Sequence, residues 1–201
     1  MRTHPVFLRI EGRRCVIVGD DETAARKASA CRAAGADVTV IAPAGFRAGD
    51  LAGASVAYAS TRDPELIRRL VDEAARERVL LNVVDVPEAC TFIAAAVVDR
   101  GDLQIAIGTG GASPGLAARL RRELETQVGP EYAPFAAILG AVRAALAGEP
   151  RRADVMAALL GSPLLDLVRD GRREEIDALL ARIAGARCTL DRLGVGLGNA
   201  P

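Results

Sequence analysis

Histidine occurs once in this chain of 201 residues, at His4, lysine once, at Lys27, and tryptophan not at all. A catalytic triad with a mid-chain imidazole is therefore argued against. So is a Cys/His zinc cage, because Cys15, Cys31, Cys90 and Cys188 show no C-x-x-C pairing and no neighbouring histidine. Aromatic residues make up 3% of the chain, too few for base-stacking platforms. Acidic and basic residues balance at 26 each, so no global field attracts nucleic acid or an anionic membrane. The first residues lack the pattern of a secretory signal, and no apolar run approaches the ~18 residues of a membrane span. A soluble, cytoplasmic protein with no nucleic-acid and no membrane partner is expected.

What the chain does have is apolar content, 50% of residues, arranged in short runs. Arg14–Val18, Ala36–Ile41 and Ser55–Ser60 read as strands. Residues 22–34 place Ala24, Ala28, Cys31 and Ala34 at helical spacing, with Gly35 as the stop. Asp63 and Pro64 open a second helix, with Leu66, Leu70, Val71 and Ala74 on one face. Two further runs, 79–84 and 103–107, read as fully covered strands of a parallel sheet. The intervening segment 88–98 reads as a loop followed by a short strand. Ligands of open α/β sheets collect beyond the carboxyl ends of strands, which puts forward Asp85 and Thr109.

The first strand ends in Gly19-Asp20-Asp21-Glu22-Thr23-Ala24, which holds the first glycine and the last small residue of a G-x-G-x-x-G/A fingerprint but carries Asp21 at the middle glycine. Three consecutive carboxylates repel a phosphate and suit a helix N-terminus. The second strand ends in Ile41-Ala42-Pro43, with no carboxylate for a ribose hydroxyl.

Beyond Ser113, which reads as an N-cap, the pattern turns helical. The segments are 114–127, 131–147, 151–159, 163–170 and 173–184, with 188–199 only weakly structured. Leu116, Leu120 and Leu124 form a stripe suited to a core or a dimer seam. The expected fold is α/β: an abridged Rossmann-like parallel sheet over residues 1–112, then a helical dimerisation region over 113–147 and a C-terminal helical region over 148–201.

P-V-F-L before the first strand, A-x-R-K in the first helix, N-V-V-D, F-I and T-G-G-x-S-P-x-L-A occur in an order that resembles the siroheme-synthase N-terminal family. These are precorrin-2 dehydrogenases, some also sirohydrochlorin ferrochelatases. The likeness covers about residues 4–145. It implies oxidation of precorrin-2 to sirohydrochlorin with NAD+ in siroheme or cobalamin biosynthesis, ferrous iron as a further substrate, and a homodimer. It leaves out the methyltransferase half that some members carry. Carried over by position, the resemblance makes Asp85 the catalytic acid or base. It places Thr109, Gly110, Gly111, Ser113 and Arg119 at the tetrapyrrole, and Gly19, Asp21, Glu22, Thr23, Pro43 and Ala44 at NAD.

This sequence departs from the family at the Gly-Asp-Asp turn. It departs again between Pro43 and Phe46, where a helix and a strand, on the order of twenty residues at ordinary element lengths, are missing. Two other readings follow: a sirohydrochlorin metal chelatase that uses no NAD, and a non-enzymatic tetrapyrrole carrier. Plainer roles stand beside the sharp ones. Asp85 suits a turn before Val86-Pro87, Arg119, Arg121 and Arg122 a solvated helix face, and Arg26-Lys27 ordinary surface charge.

Overall fold

The structure, a computed structural model, describes residues 3–197. Its described residues fall into two compact units. One holds the residues up to Ala95 together with Gly108–Pro114, the other Ala96–Ile107 and the residues from Gly115 onward.

In the first unit the apolar runs become a parallel sheet. Strands β1 (Arg14–Val18), β2 (Asp37–Ile41), β3 (Val56–Ala59) and β4 (Leu80–Val83) lie in the order β2-β1-β3-β4. Side chains of β1 alternate between two layers, as a pleated strand requires. Cys15 and Ile17 pack with Ala24, Ala28 and Cys31 of helix α1 (Glu22–Ala33). Val16 and Val18 pack with Leu66, Leu70 and Ala74 of helix α2 (Pro64–Glu77). Residues 5–10, which alternate weakly in sequence, form no strand.

The sheet ends at β2, the side on which the family resemblance implies a further helix and strand. In their place a 3-10 turn at Pro43–Gly45 and turns over 48–53 carry the chain across to β3. Charged side chains tie this connection down. Glu73, 3% exposed, accepts from the amides of Gly49 at 3.0 Å and Leu51 at 2.8 Å. Arg14 donates to the carbonyls of Asp50 and Ala52, and Arg69 to that of Phe46. Phe46 and Leu51 then plug the α2 face at 2% and 0% exposure. Burying two such side chains contributes about 1.5–3 kcal/mol each.

The other edge of the sheet, β4, is closed by the segment that follows it. A 3-10 turn at Pro87–Ala89 brings Thr91 back beside Leu81. Thr91 donates its amide to the Leu81 carbonyl at 2.8 Å, and its hydroxyl accepts from the Leu81 amide at 2.8 Å. Asn82 donates to the Phe92 carbonyl at 3.0 Å. Edge groups that would otherwise stay open are thereby satisfied.

The second unit corrects one expectation. The run 103–107 is not a fifth parallel strand. As β6 (Leu103–Ile107) it pairs antiparallel with β5 (Ala96–Arg100) in a separate two-stranded ribbon. The reason is the connection: Gly101-Asp102 is two residues long, and parallel neighbours need a crossover of a dozen or more. Burial along β6 alternates accordingly rather than staying complete. Helices α3 (Pro114–Gln127), α4 (Tyr132–Ala145), α5 (Arg152–Leu160), α6 (Leu164–Arg169), α7 (Arg173–Ala184) and α8 (Leu190–Leu193) follow. Ile138, Val142 and Leu146 centre a helical core with Leu159, Leu164, Ile176, Leu180 and Leu190. Residues 198 and 199 of the weakly structured tail lie outside the described residues.

Candidate functional site

In a parallel sheet whose order runs β2-β1-β3-β4, the chain leaves β1 towards β2 on one side and reaches β3 on the other. The crevice between β1 and β3 is the topological switch point, where α/β sheets take their ligands. A cavity of about 320 Å³ lies there, lined by Asp21, Thr23, Ser60, Thr61, Arg62, Val84 and Asp85. Each comes from a segment just beyond the carboxyl end of β1, β3 or β4.

The turn after β1 requires its glycine. A Cβ on Gly19 would stand 2.7 Å from the Cβ of Ala24 and 3.2 Å from that of Ser60. The helix therefore starts against the strand, and Asp21 becomes its N-cap. One carboxylate oxygen accepts from the Ala24 amide at 2.8 Å and the other from the Ser60 hydroxyl at 2.6 Å. The Ser60 hydroxyl first, and the Ala24 amide second, hold the Asp21 carboxyl below the usual carboxylate range. The sequence expectation that the acidic run suits the helix start agrees with this cap.

Asp85 sits two residues past β4, in the left-handed region at φ 60°, a conformation that Asp and Asn tolerate better than most residues. Its carboxylate is exposed at the crevice. Cys90 braces the turn that presents it. The Sγ lies 3.2 Å from the amide and the carbonyl of Val83 and 3.2 Å from the carbonyl of Val86.

The structure thus brings three of the residues singled out by sequence, Asp21, Thr23 and Asp85, into one cavity. Gly19 shapes it from beneath. Glu22 is exposed on the first turn of α1, and Pro43 and Ala44 belong to the 3-10 turn after β2; none of these lines the cavity. Thr109, Gly110, Gly111 and Ser113 make a separate turn, with φ of 61° and 85° at the two glycines, in which the Thr109 hydroxyl accepts from the Ser113 amide at 3.1 Å. Arg119 belongs to the other unit and pairs with Glu123 at 2.7 Å, one turn along α3. The Arg121–Glu125 pair repeats that spacing, as the plainer reading of this face expects. Lys27 is neither bare surface charge nor a crevice residue: its ammonium lies 5.1 Å from the centre of the Tyr58 ring, and burial lowers its pKa.

Ser60, read in sequence as the end of a strand, and Thr61 and Arg62, which follow it, are not put forward as site residues by the sequence. The rule that put forward Asp85, position at the carboxyl end of a strand, applies to them equally. Among the described residues no cluster of three His, Cys, Asp or Glu is placed to hold a metal ion, and no helix is long and apolar enough to cross a membrane.

The crevice fits a nicotinamide dinucleotide in its hydroxyl groups, at Thr23, Ser60 and Thr61, and in the close backbone at Gly19. The start of α1, the usual seat of the pyrophosphate, carries the Asp21 carboxylate as its cap, which opposes phosphate charge there.

A family model described as putative NAD(P)-binding matches residues 6–96, and one described as sirohaem biosynthesis protein central matches residues 100–127. The chain is 33% identical to a siroheme synthase of Methylobacillus flagellatus, over 90% of this chain and 44% of that protein. It is 35% identical to one of Thiobacillus denitrificans, over 97% of this chain and 47% of that protein. The chain therefore spans less than half the length of these relatives. The solved structure of SirC, a precorrin-2 dehydrogenase, superposes with a TM-score of 0.71 over 90% of this chain and 98% of that one, at 21% identity, a likeness of fold. With both models matched in order, and siroheme synthases aligned along nearly its whole length, the chain belongs to the siroheme synthase N-terminal family.

Proposed function

We propose that this protein is a precorrin-2 dehydrogenase, with NAD+ as hydride acceptor and sirohydrochlorin as product. The observation that carries the proposal is the exposed Asp85 carboxylate, presented by a braced turn in the same cavity as Thr23 and Asp21. Desaturating a reduced tetrapyrrole removes a hydride and a proton. The nicotinamide, when bound, takes the hydride. Asp85 accepts the proton, within reach of solvent that carries it away. NAD+ is taken as the acceptor on the family resemblance; Ala42–Gly45, after β2, carries neither a carboxylate for a ribose hydroxyl nor a cation for a 2′-phosphate. Mixing the pure protein with precorrin-2 and NAD+ should raise absorbance of the reduced nicotinamide; no rise at micromolar enzyme would refute the activity.

A second reading draws on the Asp21 carboxylate at the start of α1. Here the protein inserts ferrous iron into sirohydrochlorin without NAD, and Asp85 takes the pyrrole protons as the metal enters. Iron insertion by protein that shows no NAD+ binding in titration calorimetry would favour it. Dimerisation through the helical region 113–147, in the cytoplasm, completes the proposal, supported by the exposure of Leu120 (36%) on α3 and Val97 (40%) on β5. A monomer mass in light scattering would count against it.

A further inference from the structure

We infer that Arg62 is the oxyanion anchor of the crevice, taking over the role that a bare helix N-terminus plays in other dinucleotide sites. The inference deepens the reading above and rests on it for the identity of the ligands. The cavity is lined by two carboxylates, Asp21 and Asp85, by three hydroxyls, and by a single cation, Arg62. Two backbone donors at the head of the crevice are engaged within the protein: the Gly19 amide on the Ile41 carbonyl at 2.9 Å, and the Ala24 amide on Asp21. The Ser60 hydroxyl donates to Asp21 and favours its ionised form.

Arg62 itself is exposed and makes no hydrogen bond or ion pair among the described residues. The carboxylates that follow it in sequence are engaged elsewhere, Asp63 on the Glu65 amide and Glu65 on Arg68. Its guanidinium is thus available to grip a phosphate or carboxylate through two parallel hydrogen bonds. A ligand bringing such an anion into this cavity meets repulsion at Asp21 and Asp85, and Arg62 is the one cationic side chain of the lining that offsets it.

The oxyanion has two sources, a phosphate of the dinucleotide and a carboxylate of the tetrapyrrole, and titration calorimetry separates them. NAD+ and sirohydrochlorin are titrated singly into the wild type, Arg62→Ala, Arg62→Lys and Asp21→Asn. The Arg62→Ala variant should lose about tenfold or more in affinity for one of the two, as the loss of a charge-assisted bidentate pair implies. A loss confined to NAD+ assigns the phosphate, and a loss confined to sirohydrochlorin the carboxylate. Arg62→Lys should recover only part, because a point charge lacks the fork. Asp21→Asn should tighten the ligand that Arg62→Ala weakens. Both affinities unchanged within twofold in Arg62→Ala, with its melting temperature also unchanged, would overturn the assignment. Binding is read without turnover, so an inactive wild type that still shows the Arg62 effect would sink the dehydrogenase reading alone.

Discussion

The thiol of Cys90 lies 3.2 Å from the carbonyl of Val83, two residues before Asp85, and burial raises its pKa, so that it stays a thiol. A side chain outside the crevice thereby holds the turn that places the proposed acid or base inside it. Cys90→Ala should lower kcat more than it raises KM, since the loosened turn spoils alignment rather than access. Stability should fall by about 0.5–1.5 kcal/mol, the value of a hydrogen-bonded side chain. Cys90→Ser should restore part of the rate. Equal kinetics in all three proteins would remove Cys90 from any positioning role.

Asp85→Asn is the cleaner probe of the carboxylate. Asparagine tolerates the left-handed backbone at φ 60° that alanine resists, so the charge is removed with little strain. Turnover should fall by about two to four orders of magnitude, the worth of a positioned acid or base. Thermal unfolding should stay within about a degree of wild type. A variant that turns over at the wild-type rate would sink the assignment.

Glu73 holds the shortened β2–β3 connection from a buried position, and its loss leaves the Gly49 and Leu51 amides without an acceptor. Glu73→Ala should destabilise the protein by about 2–3 kcal/mol, with Glu73→Gln, which keeps an acceptor oxygen, costing less. Urea unfolding of the three proteins measures the difference.

At Gly19 a methyl group would meet Ala24 at 2.7 Å and the Ser60 carbonyl at 3.3 Å. Strand and helix would have to part, so Gly19→Ala should destabilise by about 1–3 kcal/mol. Differential scanning calorimetry would register a loss of several degrees; an unchanged melting temperature would show that the contact yields freely.

Alkali should expose the buried layer between β1 and α1. Burial, and then the neighbouring Cys31, push the Cys15 thiol from 9.0 up to about 11, and burial pushes the Tyr58 phenol up to about 12. Both groups hold their protons more tightly in the folded state. Their contribution is therefore complete below about pH 9 and is lost as pH rises from 9 towards 11. Melting temperature should hold steady from pH 7 to 9 and fall beyond it, and Cys15→Val should flatten that fall. A steady melting temperature through pH 11 would contradict the linkage.

Much of this protein was legible in one dimension. Apolar runs bounded by glycine and proline located β1 to β4, Asp63-Pro64 marked the start of α2, and the acidic run announced the capped start of α1. These signals are local: a cap, a turn and a helical stripe each depend on residues within a turn or two of one another. The order of motifs likewise sufficed to name the family. What periodicity could not carry was pairing. The run 103–107 looked like another covered strand, and only its two-residue connection to β5 put it in an antiparallel ribbon. Asp21, Ser60, Arg62 and Asp85 are separated by up to 64 positions in sequence, and no local signal joins them. They meet because parallel pairing in the order β2-β1-β3-β4 brings the carboxyl ends of β1, β3 and β4 to one edge. Sequence alone named Asp85; the fold put Arg62 in the same crevice, because charge in a crevice is set by which strand ends converge there.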